Sequence, residues 1–134
     1  MDLGSNLGRL VLRLMLGGLL LFHGVSKIHG GIAPIVDRVA KAGVPSSLGY
    51  FVYVGEVLAP VLLIVGLWTR LAALLVMINM IVALLLVHTS QLAEINKAGG
   101  WALELQAFYL FTALAILLLG AGRFSVGGAA GKLN

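Results

Sequence analysis

An all-α, integral membrane bundle of four transmembrane helices, with a short amphipathic segment between helices one and two, is the fold this sequence predicts. Three observations carry that expectation. Of the 134 residues, 60% are hydrophobic and only 10% charged, whereas a soluble domain is about half apolar and a quarter charged. Mean hydropathy is +1.08, so the chain has too few polar side chains to cover a water-facing surface. The apolar residues also fall into four runs, each close to the roughly 20 residues a helix rising 1.5 Å per residue needs to cross about 30 Å of hydrocarbon.

Helix one is expected from about Leu7 to Ile28, with Gly17 and Gly18 offering a small-residue surface for close approach of another backbone. Arg9 and Arg13 precede its apolar stretch as a signal peptide's basic residues would. The run ends in His23-Gly24-Val25-Ser26-Lys27, which is not a small-residue cleavage site, so it reads as a mature helix. Between Gly30 and Ser47, Ile32, Ile35, Val36, Val39 and Ala42 recur at helical intervals among Pro34, Asp37, Arg38, Lys41 and Pro45. That pattern reads as a short helix lying in the interface, with an ordinary polar loop as the alternative.

Helix two is placed over Leu48 to Trp68, where Tyr50, Tyr53 and Trp68 suit aromatic belts at the two membrane faces. Thr69-Arg70 leaves almost no loop, so helix three, Leu71 to His88, becomes its antiparallel neighbour. Thr89 to Gly100 is a polar connection, Trp101 to Leu119 is helix four, and the Gly-rich stretch from Gly120 to Asn134 reads as a flexible tail. The whole chain, 1–134, is one membrane domain.

The net charge of +4 sits at the ends of the apolar runs, which points to phospholipid headgroups and not to nucleic acid. The basic residues favour both termini in the cytoplasm: Arg9, Arg13, Arg70, Arg123 and Lys132 lie on that side and Lys27, Arg38, Lys41 and Lys97 on the other. Arg9 and Arg13 read as headgroup anchors. Cysteine is absent, which excludes disulfides, thiolate nucleophiles, iron–sulfur ligation and thiol relays for this polypeptide acting alone.

Ionisable groups inside a bilayer cost a few kcal/mol each at mid-depth, so each needs a partner or a task. In an up-and-down bundle five of them share the non-cytoplasmic half. His23 and Lys27 lie on one helical face, about 6 Å apart along the axis. Glu56 lies roughly 12 Å into helix two. His88 closes helix three, and Glu104 lies about one turn into helix four, on nearly the same face as Trp101. Pro60 removes the backbone hydrogen bond that the Glu56 carbonyl would otherwise accept, which predicts a kink beside that side chain. Glu56 is expected to point inward and pair with Lys27 or a histidine. Asn79, on roughly the opposite face of helix three from His88, is expected to bond across to another helix. Lys27, His88 and Glu104 each have a plainer reading as interfacial residues, and a salt bridge that only joins helices also explains the set. Met77 and Met80 read as packing residues, and no metal-ligand set is apparent.

Arg13-Leu14 with Gly17, His23-Gly24 with Lys27, Gly43-Val44-Pro45, Gly55-Glu56, Gly66-Leu67-Trp68-Thr69-Arg70, His88, Glu104 and Gly120 to Ser125 together resemble the DoxX family of small bacterial membrane proteins. The likeness runs over nearly the whole chain. It departs from the family pattern at Gly120-Ala121-Gly122, which has no Pro between the glycines. The resemblance implies a four-helix protein of the bacterial cytoplasmic (inner) membrane tied to redox systems, including subunits of quinone-reducing oxidoreductases and membrane platforms for oxidative-stress enzymes.

Two functions follow as expectations. In the first, His23, Lys27, Tyr53, Glu56, His88, Trp101 and Glu104 line a pocket near the outer face for a quinone-like or other small ligand, in a redox-associated subunit with a membrane or membrane-associated redox partner or a second copy of itself. Haem, held by His23 and His88, ranks below a quinone, and a Soret band would decide it. The alternative is a non-catalytic anchor or assembly partner whose intramembrane charges only hold the bundle together. Transport ranks last, because four short helices leave little room for a pathway. No reaction is specified by any of these residues.

Overall fold

A computed structural model describes residues 2–86 and 89–134. Helix α1 spans Leu3–Gly30. Asp2 caps its start by accepting a hydrogen bond from the Ser5 amide, which satisfies one of the amides that a helix N-terminus leaves without an internal partner. Helix α2, Ala33–Lys41, opens with Pro34, whose missing N–H costs nothing in a first turn. Ile32 and Val39 are buried while Asp37, Arg38 and Lys41 are exposed, so the amphipathic reading holds.

The second span, Ser46–Val65, is three kinds of helix end to end: a 3-10 segment Ser46–Phe51, a π-helical turn Val54–Leu58, and helix α3, Ala59–Val65. It ends at Gly66, whose left-handed backbone (φ 75°) is accessible to glycine at no steric cost. Helix α4, Thr69–Leu86, follows at once. Helix α5, Glu104–Leu119, is apolar and shorter at 16 residues. Each of α1, Ser46–Val65 and α4 is long and apolar enough to cross a bilayer, and no strand occurs among the described residues. The protein is a helical membrane protein.

Side chains fix the topology. Arg70, at the start of α4, donates to the carbonyls of Leu117 and Leu118 at the end of α5. Arg9, near the start of α1, donates to Leu119. The end of α5 therefore meets the beginnings of α1 and α4, as an up-down-up-down bundle requires. Leu16, Leu20, Ala59, Leu63, Ala72, Ala73, Val76, Tyr109, Ala113 and Ile116 form the core. The alanines on α4 and α5 let those two helices pack closely. Phe22, Leu85, Phe108 and Leu118 project from the outside of the bundle, where lipid, and not water, surrounds a spanning helix.

The stretch after α5 differs from the flexible tail expected of so many glycines. It folds back over the bundle end: Val126 and Gly127 donate to the carbonyls of Val65 and Gly66, and Arg70 donates its amide to Leu133. Buried Asn134 accepts from the Thr69 amide and donates to Gly128. Glycine allows this chain to lie flat against helix ends, and the carbonyls and amides exposed there supply its partners.

Candidate functional site

Two charged centres lie at opposite ends of the bundle. At the end shared by the start of α1 and the close of α3 and α5, Arg13 is 1% exposed. Its Nε donates to the Leu63 carbonyl at 2.9 Å and its Nη2 to Ile64 at 3.2 Å. Nη1 donates to Ala121 at 3.0 Å and to Phe124 at 2.8 Å. This corrects the expectation of a headgroup anchor. Helix α3 leaves carbonyls unpaired where it ends, and no water is available in hydrocarbon to take them. A guanidinium with five donors and a positive charge meets that need and complements the helix dipole. Arg9 and Arg70 act likewise on α5.

At the other end, Lys27 Nζ pairs with Glu56 Oε1 at 2.5 Å, their side chains 25% and 6% exposed. Asn79 Nδ2 donates to the other oxygen, Oε2, at 3.3 Å. Tyr53 donates its hydroxyl to the Lys27 carbonyl at 3.3 Å. Three helical segments thus converge on one carboxylate, and two expectations hold: Glu56 pairs with Lys27, and Asn79 bonds across to a neighbouring helix.

The local sequence explains how they meet. Pro60 has no N–H to offer the Glu56 carbonyl, and the turn before it widens to a π-helix in which Ala59 donates to Val54. Gly24 of α1 lies directly against that carbonyl: a Cβ there would fall 2.0 Å from the Glu56 oxygen. Gly55 does the same for α4, since a Cβ on it would sit 2.5 Å from Asn79 Cβ. Two glycines therefore let α1 and α4 close on Glu56 from both sides. Gly24 and Gly55, next to a membrane-embedded carboxylate, are the signal that helix periodicity alone misses.

Beside this cluster is a cavity of about 450 Å³. Lys27, Glu56 and Asn79 form its polar wall. Val39 and Arg38 of α2, Leu48, Gly49 and Phe51 of the 3-10 segment, and Leu75, Ile78, Val82 and Leu86 of α4 form the rest. Ile78, Val82 and Phe51 are also exposed on the outside of the bundle, so the cavity opens sideways toward the lipid, beneath the interfacial helix. Arg38, expected from the sequence as a charge on an amphipathic face on the non-cytoplasmic side, is here part of the lining.

The other expected residues stand apart from this wall. His23 packs edge-on against Tyr109, ring centres 5.8 Å apart at 86°, and does not line the cavity. Glu104 accepts from Asn96 Nδ2 at 3.3 Å at the start of α5, and Trp101 donates to the Leu92 carbonyl at 2.8 Å. The latter two bonds order the connection before α5, where Ile95 and Trp101 form an isolated β-bridge. His88 lies outside the described residues. No group of three metal-ligating side chains occurs among the described residues.

The model of the DoxX family matches residues 8–89 of the chain, a stretch that contains most of α1 and the whole of α2, the segmented second span and α4. No curated protein and no solved structure gives a significant match.

Proposed function

The chain belongs to the DoxX family, and from that premise we propose that it is a redox-associated membrane subunit that holds the polar head of a quinone-like or other small amphiphile in the cavity beside Lys27, Glu56 and Asn79. The observation that carries this reading is a cavity of about 450 Å³, within the range of small-molecule sites, mostly apolar, with a few converging polar groups. Lys27 uses one of its three N–H donors on Glu56, and the other two are free to meet a carbonyl or hydroxyl of the ligand. Glu56 and Asn79 fix the ammonium in place. Having no cysteine, the subunit works beside a redox partner in the membrane, and its own part is to bind and present the ligand.

The membrane in this reading is the bacterial cytoplasmic membrane, with both termini inside. That sidedness rests on Arg9, Arg13, Arg70, Arg123 and Lys132 at one end of the bundle, and it puts the cavity near the outer face. The test is an inventory of bound lipids and cofactors by native mass spectrometry after gentle extraction. Wild-type protein is expected to retain one species that both Glu56→Gln and Val82→Trp lose. Val82→Trp fills the cavity from an already exposed position and leaves the ion pair alone. The same inventory in all three proteins would favour an anchor whose charges only join helices.

A further inference from the structure

The charges around the cavity do not balance. Lys27 and Glu56 cancel within their ion pair, and Asn79 is neutral. Arg38, on the cavity side of α2, makes no ion pair among the described residues, although Asp37 precedes it in sequence. Among the described lining residues two cations stand against one anion, a surplus of one positive charge. The cavity's donors are in surplus too: exposed Arg38 brings five N–H groups and Lys27 its unused ones to a lining whose one described carboxylate already accepts from Lys27 and Asn79. The other described lining residues have apolar side chains or none, and those side chains supply no acceptor. A guanidinium at the interface, above an apolar cavity open to lipid, matches a planar carboxylate or a phosphate oxygen pair on an alkyl chain.

We infer that the cavity's ligand is an amphiphile with a negatively charged head, an alkyl carboxylate or a phosphate ester, held by Arg38 at the mouth and Lys27 within, with its chain leaving between α4 and Phe51 toward the bilayer. The inference rests on the ligand-holding role proposed above and narrows it to one class of head. General attraction of basic residues to anionic headgroups is a separate effect that acts on every cation near the surface. Lys41 provides the control for it. It lies on the same helix, carries the same charge, and does not line the cavity.

The experiment titrates the purified protein, in neutral detergent, with oleate, phosphatidylglycerol, phosphatidylcholine and a short-chain alkyl benzoquinone, and reads bound stoichiometry by native mass spectrometry. One molecule of oleate or phosphatidylglycerol is expected to bind, and whichever is tighter identifies the source of the anion. Arg38→Gln is expected to weaken it about tenfold, as loss of a charge-assisted hydrogen bond does, while Lys41→Gln leaves it unchanged. Equal binding of the benzoquinone or of phosphatidylcholine, or equal effects of the two substitutions, overturns the anionic head and leaves the ligand cavity standing. Absence of binding by all four probes overturns both.

Discussion

Gly24→Ala places one methyl group where the structure has no space for it. The added Cβ would lie 2.0 Å from the Glu56 carbonyl oxygen, 2.7 Å from its carbon and 2.8 Å from Val57 Cγ2. Ordinary contacts between carbon atoms lie at about 3.5–4.0 Å. Two of the three obstructing atoms are backbone, in a π-turn followed by the fully buried Ala59, so that side cannot yield, and α1 must retreat by more than an ångström. Lys27 is carried on the same helix less than one turn further along, and its retreat stretches the ion pair to Glu56. Overpacking of this kind costs about 1–3 kcal/mol, and the loosened pair adds to it, so a loss near 3 kcal/mol is expected. Gly18→Ala makes the same chemical change six residues earlier, where nothing lies within 4 Å. It is expected to be neutral or to gain up to about 1 kcal/mol from helix propensity. Reversible unfolding in mixed micelles, followed by circular dichroism, measures both. Equal stabilities for the two variants would refute the close approach of α1 to the π-turn.

Three further outcomes follow from the same geometry. Arg13→Lys keeps the charge but replaces a five-donor fork by a point ammonium, leaving some of the carbonyls of Leu63, Ile64, Ala121 and Phe124 unpaired; a loss of about 2–3 kcal/mol is expected in the same unfolding assay. Asn79→Leu removes the donor to Glu56 Oε2 and is expected to cost about 1–3 kcal/mol, whereas Asn79→Asp sets a second carboxylate beside the first and is expected to destabilise further. Asp2 is held below the ordinary carboxylate value by the hydrogen bonds of Ser5. Its capping contribution is therefore whole above that ordinary value and fades as the pH falls through the lowered one; the Ser5 amide resonance should report this on acidification, and Asp2→Asn should remove the response.

Composition and run length made the bundle legible, because a chain in lipid must satisfy its backbone internally and apolar runs near 20 residues long do so as helices. The Lys27–Glu56 pair was legible for a related reason: a carboxylate that deep in an apolar run needs a cation, and an up-and-down topology brings the end of α1 beside it. What periodicity did not reveal is the geometry set by particular backbones. Pro60 signalled a kink, but the π-turn, and with it the exact neighbours of Glu56, depends on where Gly24 and Gly55 admit other helices. Two members of the expected layer stand apart from Lys27 and Glu56 for the same reason, since one-dimensional depth says nothing about azimuth: His23 turns to Tyr109 and Glu104 to Asn96. Arg13 read as an anchor because a basic residue near a membrane boundary usually is one. Its burial follows from the ends of α3 and α5 and from a tail that returns to them, partners far away in sequence.

A structure determined with the protein in a lipid bilayer tests the central claim most directly. Elongated density in the cavity between α2, Phe51 and α4, with its head within hydrogen-bonding distance of Lys27 Nζ, is the predicted result. A cavity closed by α2 lying down on Glu56, with lipid only around the outside, would contradict it.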